Sequence, residues 1–183
     1  MTARVPLAPK GLRPAKLAHV VLKTNHLEAM TEFYRLFLGA ETMFANDRIV
    51  FLTYDEEHHR LALIRRPGLG AHQANAAGLD HFSFAYRTFA ELVEAYEGLR
   101  TAGIEPDWQI NHGPTTSLYY RDPDGNRVEI QVDNFPTVEA LNEWLASGAF
   151  DRNPIGVEFK MEELVQRFRD GATEAEILRP PGK

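Results

Sequence analysis

From His112 to Glu129 the chain reads His-Gly-Pro-Thr-Thr-Ser-Leu-Tyr-Tyr-Arg-Asp-Pro-Asp-Gly-Asn-Arg-Val-Glu, which sets an imidazole, a phenol and a carboxylate around one Asp-Pro-Asp-Gly turn. Two more histidines stand in strand-like runs, His19 in Ala-His-Val-Val-Leu and His81 in Leu-Asp-His-Phe-Ser-Phe. With Glu129 they make two imidazoles and one carboxylate. That donor set suits non-haem Fe(II) with open coordination positions, and Mn(II) fits the same donors. A single strand histidine is more often a packed or solvated group than a ligand. The metal reading rests on His19 and His81 at matched places in a duplicated pattern, with Glu129 on the last strand-like run of the second copy.

The chain has 183 residues, 44% of them hydrophobic, enough to bury one core. Its formal charge is −6, and basic residues cluster only in the first sixteen positions, so nothing resembles a stripe for a phosphate backbone and no nucleic-acid partner is expected. With no cysteine, thiolate zinc sites and thiol nucleophiles are excluded and any metal has N and O ligands. Pro6, Pro9 and Pro14 interrupt the opening segment before it could form the apolar core of a signal peptide, and no apolar run is long enough for a membrane span. A cytoplasmic location, with no membrane partner, is the expectation.

Superposing His19 on His81 reveals a weak internal repeat. Leu17 to Lys23 reads as a strand, and Asn25 with Glu28 has capping-box spacing before a helix that carries Leu27, Met30, Phe33, Tyr34, Phe37 and Leu38 and ends at Gly39. In the second copy Leu79 to Tyr86 is the strand, Thr88 and Glu91 repeat the box, and Phe89, Leu92, Tyr96 and Leu99 form the stripe before Gly103. Strands are expected next at 42–45, 48–54 and 60–65, then at 107–110, 117–121 and 127–133, which makes each copy βαβββ. The organisation is an arm over 1–16, a first module over 17–66, a linker over 67–78, a second module over 79–133 and a helical extension over 134–183, all in one α+β domain. In the extension, helices are expected over 137–147 and 160–170, with a third capping box at Thr173 and Glu176. Strand alternation puts His19, Val21 and Lys23 on one face, as it does His81, Ser83 and Ala85, and Glu129, Gln131 and Asp133. Those faces would line a cup.

These residues resemble the vicinal oxygen chelate superfamily and, within it, the one-domain type I extradiol ring-cleavage dioxygenases. The resemblance is carried by Ile110, His112, Leu118-Tyr119, Asp122-Pro123, Gly125 and Glu129, and the wider repeat spans about Leu17 to Asp133. It implies two βαβββ modules forming a curved mixed sheet around a metal site. It also implies Fe(II), or Mn(II), bound by His19, His81 and Glu129, with His59, His112 and Tyr119 around substrate and dioxygen. The activity implied is meta cleavage of a catechol with O2, in a homodimer or higher homo-oligomer. His59 is transferred from the His58-His59 pair opening Arg60-Leu-Ala-Leu-Ile, and His58 is the alternative imidazole. Because Arg127-Val128-Glu129-Ile130 aligns with Arg60-Leu61-Ala62-Leu63, alanine stands opposite the carboxylate, where glyoxalase and epimerase relatives usually place a fourth ligand. Fosfomycin-modifying-type transferases share the two-His, one-Glu set and are the alternative enzyme class. A metal-free module that binds an aromatic ligand is a further alternative.

Overall fold

The computed structural model describes residues 13–73 and 75–181. Most of the expected arm lies outside the described residues. The first module comprises β1 (Val20–Thr24), α1 (Leu27–Leu38), β2 (Glu41–Ala45), β3 (Ile49–Thr53) and β4 (Leu61–Arg65). The second comprises β5 (His81–Tyr86), α2 (Phe89–Thr101), β6 (Trp108–Asn111), β7 (Thr115–Arg121) and β8 (Arg127–Asp133). The extension adds α3 (Val138–Ala146), α4 (Ala149–Arg152), β9 (Val157–Glu158), α5 (Met161–Arg169) and α6 (Glu174–Ile177).

Local chemistry sets the helix ends. In α1 the apolar spacing buries Leu27, Met30, Phe33, Tyr34 and Phe37 on one face, and Gly39 stops the helix at φ 60°. The capping box expected at its start does not form. Asn25 instead clasps the backbone of Leu69 through both side-chain atoms, at 3.0 and 3.2 Å, and Glu28 pairs with Arg65. His26 takes the cap position, its N–H held by Thr24 Oγ1 at 2.8 Å. At α2, Thr88 Oγ1 accepts the Glu91 N–H as expected, but the Glu91 carboxylate reaches Arg87 rather than the cap residue. The box at Thr173 and Glu176 closes in full.

The strands form two mixed sheets, ordered β1-β4-β3-β2 and β5-β8-β7-β6-β9. β1 pairs parallel with β4 and β5 parallel with β8, so each module repeats one topology, with its first strand on the outer edge. The registers repeat as well. Val21 faces Ala62, which faces Phe51; Ser83 faces Glu129, which faces Tyr119. Ala62 therefore occupies the first-module place of Glu129, as the aligned segments suggest, and Phe51 occupies that of Tyr119.

A shared core joins the modules. α1 packs on its own sheet, and Tyr34 and Phe37 also meet Phe82 and Tyr120 of the second sheet, at ring-centre distances of 6.2 and 5.2 Å. The Asp122 carboxylate fixes this junction. It accepts the N–H groups of Asp124 and Asn126 at 3.0 and 2.9 Å, the Asn126 side-chain amide at 2.8 Å and the Tyr34 hydroxyl at 2.8 Å. Both side chains are buried. Burial, and then the adjacent carboxylate, raise the Tyr34 phenol well above its ordinary pKa, so it remains a donor.

Replacing Asp122 by Ala should lower unfolding stability by about 2–4 kcal/mol, because several buried donors lose one acceptor, whereas Tyr34→Phe should cost about 1–2 kcal/mol. Urea unfolding checks both, and midpoints unchanged from the wild type would contradict the junction's role.

Candidate active site

The second module places most of the expected residues together. His81 opens β5, and Glu129 lies beside it on β8, with its Oε2 3.2 Å from His81 Nε2. The other imidazole nitrogen, Nδ1, sits 2.6 Å from Asp80 Oδ1, and the His81 ring holds the Asp80 carboxyl below its usual range. With the Nδ1 proton directed at Asp80, the Nε2 lone pair faces a buried carboxylate, an arrangement satisfied by a proton or a cation between them. The spacing is about that of two donors roughly 2.1 Å from one ion. A carboxylate on the far nitrogen is also how metal-bound histidines are commonly oriented.

Tyr119, opposite Glu129 in the β7–β8 pairing, is buried, and its ring packs edge-on to His81 at 5.2 Å. Burial first, then the charge of Glu129, raises its pKa, so the phenol stays protonated. Its oxygen is 2.9 Å from His112 Nε2. His112 Nδ1 is 2.5 Å from the Ile155 carbonyl, which can only accept; Nδ1 therefore carries the proton, and in the neutral ring Nε2 accepts from Tyr119. Arg127 lies over Tyr119 and Trp108, 5.5 and 5.6 Å from the ring centres. Trp108 is half-buried beside Tyr119 and donates to Glu158 at 2.8 Å.

The extension thus reaches the site through its backbone. β9 pairs with β6, and Gly156 passes so close that a Cβ there would lie 2.3 Å from the Asn111 carbonyl and 2.8 Å from His112 Cα, at φ +113°. Trp144 presses on Gly113, where a Cβ would lie 2.3 Å from its ring. Sequence reading missed Asp80 and the Ile155 carbonyl. Asp80 was signalled by its adjacency to His81; no side-chain pattern reports a carbonyl.

His19 and His59 stand on the first module. His19 precedes β1 by one residue and is exposed; His59 is buried between His19 and Phe51, at ring-centre distances of 4.5 and 4.4 Å. His58 is exposed and hydrogen-bonds His59 through the two Nδ1 atoms at 2.6 Å. Of the pair, His59 is the imidazole that meets His19. Burial and then the neighbouring imidazoles lower its pKa and favour the neutral ring.

Among the described residues, no three His, Asp or Glu side chains gather as a metal-holding group. His81 and Glu129 fit as a pair of ligands, and His19 does not join them within the chain. Two large clefts, of about 560 and 660 Å³, run along the 69–80 segment, and neither is lined by any of the six candidate residues.

Residues 16–130 match the family described as the Glyoxalase/Bleomycin resistance protein/Dioxygenase superfamily. The chain belongs to that superfamily. Its relatives include Biphenyl-2,3-diol 1,2-dioxygenase 3 of Rhodococcus globerulus, 44% identical over 164 residues, covering 88% of this chain and 86% of that protein. Biphenyl-2,3-diol 1,2-dioxygenase 2 of the same organism is 44% identical over 85% of this chain and 83% of its own. The first match covers more than residues 1–130 could supply, so it includes part of the extension that the superfamily match omits. Among solved structures, a glyoxylase/bleomycin resistance protein/dioxygenase domain from Frankia sp. EAN1pec superposes with TM-score 0.57 at 21% identity, over 68% of this chain and 96% of that one, a likeness of fold. Among the described residues, no helix is long and apolar enough to cross a membrane.

Gly156→Ala should push β9 from β6, release His112 Nδ1 from Ile155 and lower stability by about 1–3 kcal/mol. ¹⁵N NMR of the His112 ring reads the Nδ1–H tautomer directly. Unchanged ring signals in the variant would show that Ile155 does not set it.

Proposed function

We propose that this superfamily member is an extradiol dioxygenase that opens a catechol-type aromatic diol with O2 at the carbon–carbon bond next to the diol, using Fe(II), with Mn(II) as the alternative. Identity of 44% across most of the chain to two enzymes named biphenyl-2,3-diol 1,2-dioxygenases carries this reading, and it makes biphenyl-2,3-diol the first substrate to try. The proposed ligands are His19, His81 and Glu129. When bound, the metal would hold diol and dioxygen side by side and pass electron density between them.

The side chains have separable roles. Tyr119 keeps its proton and can turn its O–H from His112 Nε2 to a substrate oxygen about one hydrogen bond away. His112, anchored at Nδ1, takes back the Tyr119 hydrogen bond when substrate leaves and steadies charge on the bound oxygens. His59, stacked on Phe51, would accept a diol proton and return it later. Alanine at 62, in the register position of Glu129, adds no further carboxylate.

Oxygen-electrode traces with Fe(II)-loaded protein and a panel of catechols should show uptake together with a yellow ring-fission product, with both oxygen atoms retained. Tyr119→Phe and His59→Ala should bind metal as the wild type does but lose turnover by roughly ten- to ten-thousand-fold. Metal binding without oxygen uptake on any catechol would favour a transferase or lyase instead. Wild-type turnover in His59→Ala would remove its acid-base role.

A further inference from the structure

Arg127 is a charged side chain beside the site that the proposed reaction leaves unused. It opens β8 in register with His81, two residues before Glu129, so strand alternation puts its side chain on the face that carries Glu129. Its guanidinium carbon lies 5.5 Å from the ring centre of Tyr119 and 5.6 Å from that of Trp108. Aromatic faces hold a planar cation in place without accepting its in-plane N–H bonds. The Nε atom is buried and has no partner, and among the described residues none of the Arg127 donors is hydrogen-bonded or ion-paired. A half-buried guanidinium in this condition is costly, and a matching acceptor would lower that cost.

The charges around it are already committed. Arg121, opposite Arg127 in the β7–β8 pairing, donates through Nε to Asp107 and through Nη1 to the Gly125 carbonyl, both at 3.0 Å. Asp80 is bound to His81 Nδ1 at 2.6 Å. Arg127 also lines the larger of the two clefts, about 660 Å³, between the 72–80 segment and the turn after β7. Among the described residues lining that cleft, Asp80 is the only acid, against the guanidinium groups of Arg121 and Arg127. Its volume is within the range usual for small-molecule sites. Asp80 and Arg127 touch His81 and Tyr119 as well, so the cleft and the active site share a wall.

We infer that Arg127 heads a carboxylate-binding subsite in this cleft, for a carboxylate attached to the aromatic molecule held at His81 and Glu129. The fork of parallel N–H groups matches two carboxylate oxygens, which a neutral substituent does not offer. That the molecule is an aromatic diol rests on the function proposed above, whereas the anion subsite rests on Arg127 and the cleft. Two sources supply the same chemistry. One is a carboxylate substituent on the ring. The other is made by ring opening itself, in which O2 is the oxidant, one carbon–carbon bond breaks and two carbon–oxygen bonds form. The hydroxyl-bearing carbon then becomes a carboxylate, with loss of one proton, and its neighbour becomes a carbonyl.

Charge-matched pairs test the subsite. Catechols carrying a carboxylate directly or through one or two methylenes are each compared with their methyl amides, by KM in oxygen uptake and by anaerobic calorimetric titration of metal-free and Fe(II)-loaded protein. At least one acid should be preferred over its amide by about ten- to a hundredfold, as a charge-assisted pair provides, or the purified ring-fission product of unsubstituted catechol should inhibit competitively. The first result makes the ring substituent the source, and the second makes it the newly formed carboxylate. Arg127→Met should abolish whichever effect is seen, and Arg127→Lys should keep part of it, since it retains the charge without the fork. If Arg127→Met does not fold, the lysine variant carries the comparison. A role confined to packing on Tyr119 and Trp108 would weaken acid and amide equally, and that result would overturn the subsite. So would an undiminished effect in Arg127→Lys and Arg127→Met, or a wild type that cleaves catechols with neither discrimination nor product inhibition. Preference for an acid in titrations of a protein that opens no catechol would keep the subsite and reject the dioxygenase reading.

Discussion

One buried carboxylate fixes how the two halves of this chain sit together. Asp122 closes its own turn through backbone and side-chain donors and also receives the Tyr34 hydroxyl from the other module. A charge at this depth is tolerated because its lone pairs are occupied, and removing any donor leaves an uncompensated group. The same turn joins the strands that carry Tyr119 and Glu129. The contact that docks α1 therefore also sets the span between a protonated phenol and a buried carboxylate. It commits α1 to the opposite face of that sheet, leaving the functional face open.

The duplication explains the division of labour. Both modules fold through the same parallel pairing of first and last strand, which needs only period-two alternation and a helix to cover one face. On that shared frame the exposed faces have diverged, one to ionisable and hydrogen-bonding side chains and the other to apolar ones. The extension makes a second asymmetry. It covers the β6 edge, seats Trp144 on Gly113 and supplies the Ile155 carbonyl that directs the His112 proton. The helical extension thus also orients a site residue.

Much of this was legible in the sequence because it follows from side-chain type and spacing. The βαβββ repeat, the stop at Gly39, the caps at Thr88 and Thr173 and the Asp122 turn all stand where their patterns place them. The capping box at Asn25 failed because a tertiary partner, the Leu69 backbone, competed for the same amide. The two-residue β9 has too few residues to show a period. Proximity of His81, Glu129, Tyr119 and His112 could be anticipated from the motif. The separation of His19 from them could not, since the sequence spacing from His19 to His81 does not fix how the two modules dock.

The most direct test of the account is a crystal structure of anaerobically Fe(II)-loaded protein with diffraction recorded on both sides of the iron absorption edge. The result expected is an anomalous peak within bonding distance of His81 Nε2 and Glu129 Oε2. Iron bound away from His81 and Glu129 would contradict the proposed metal centre itself.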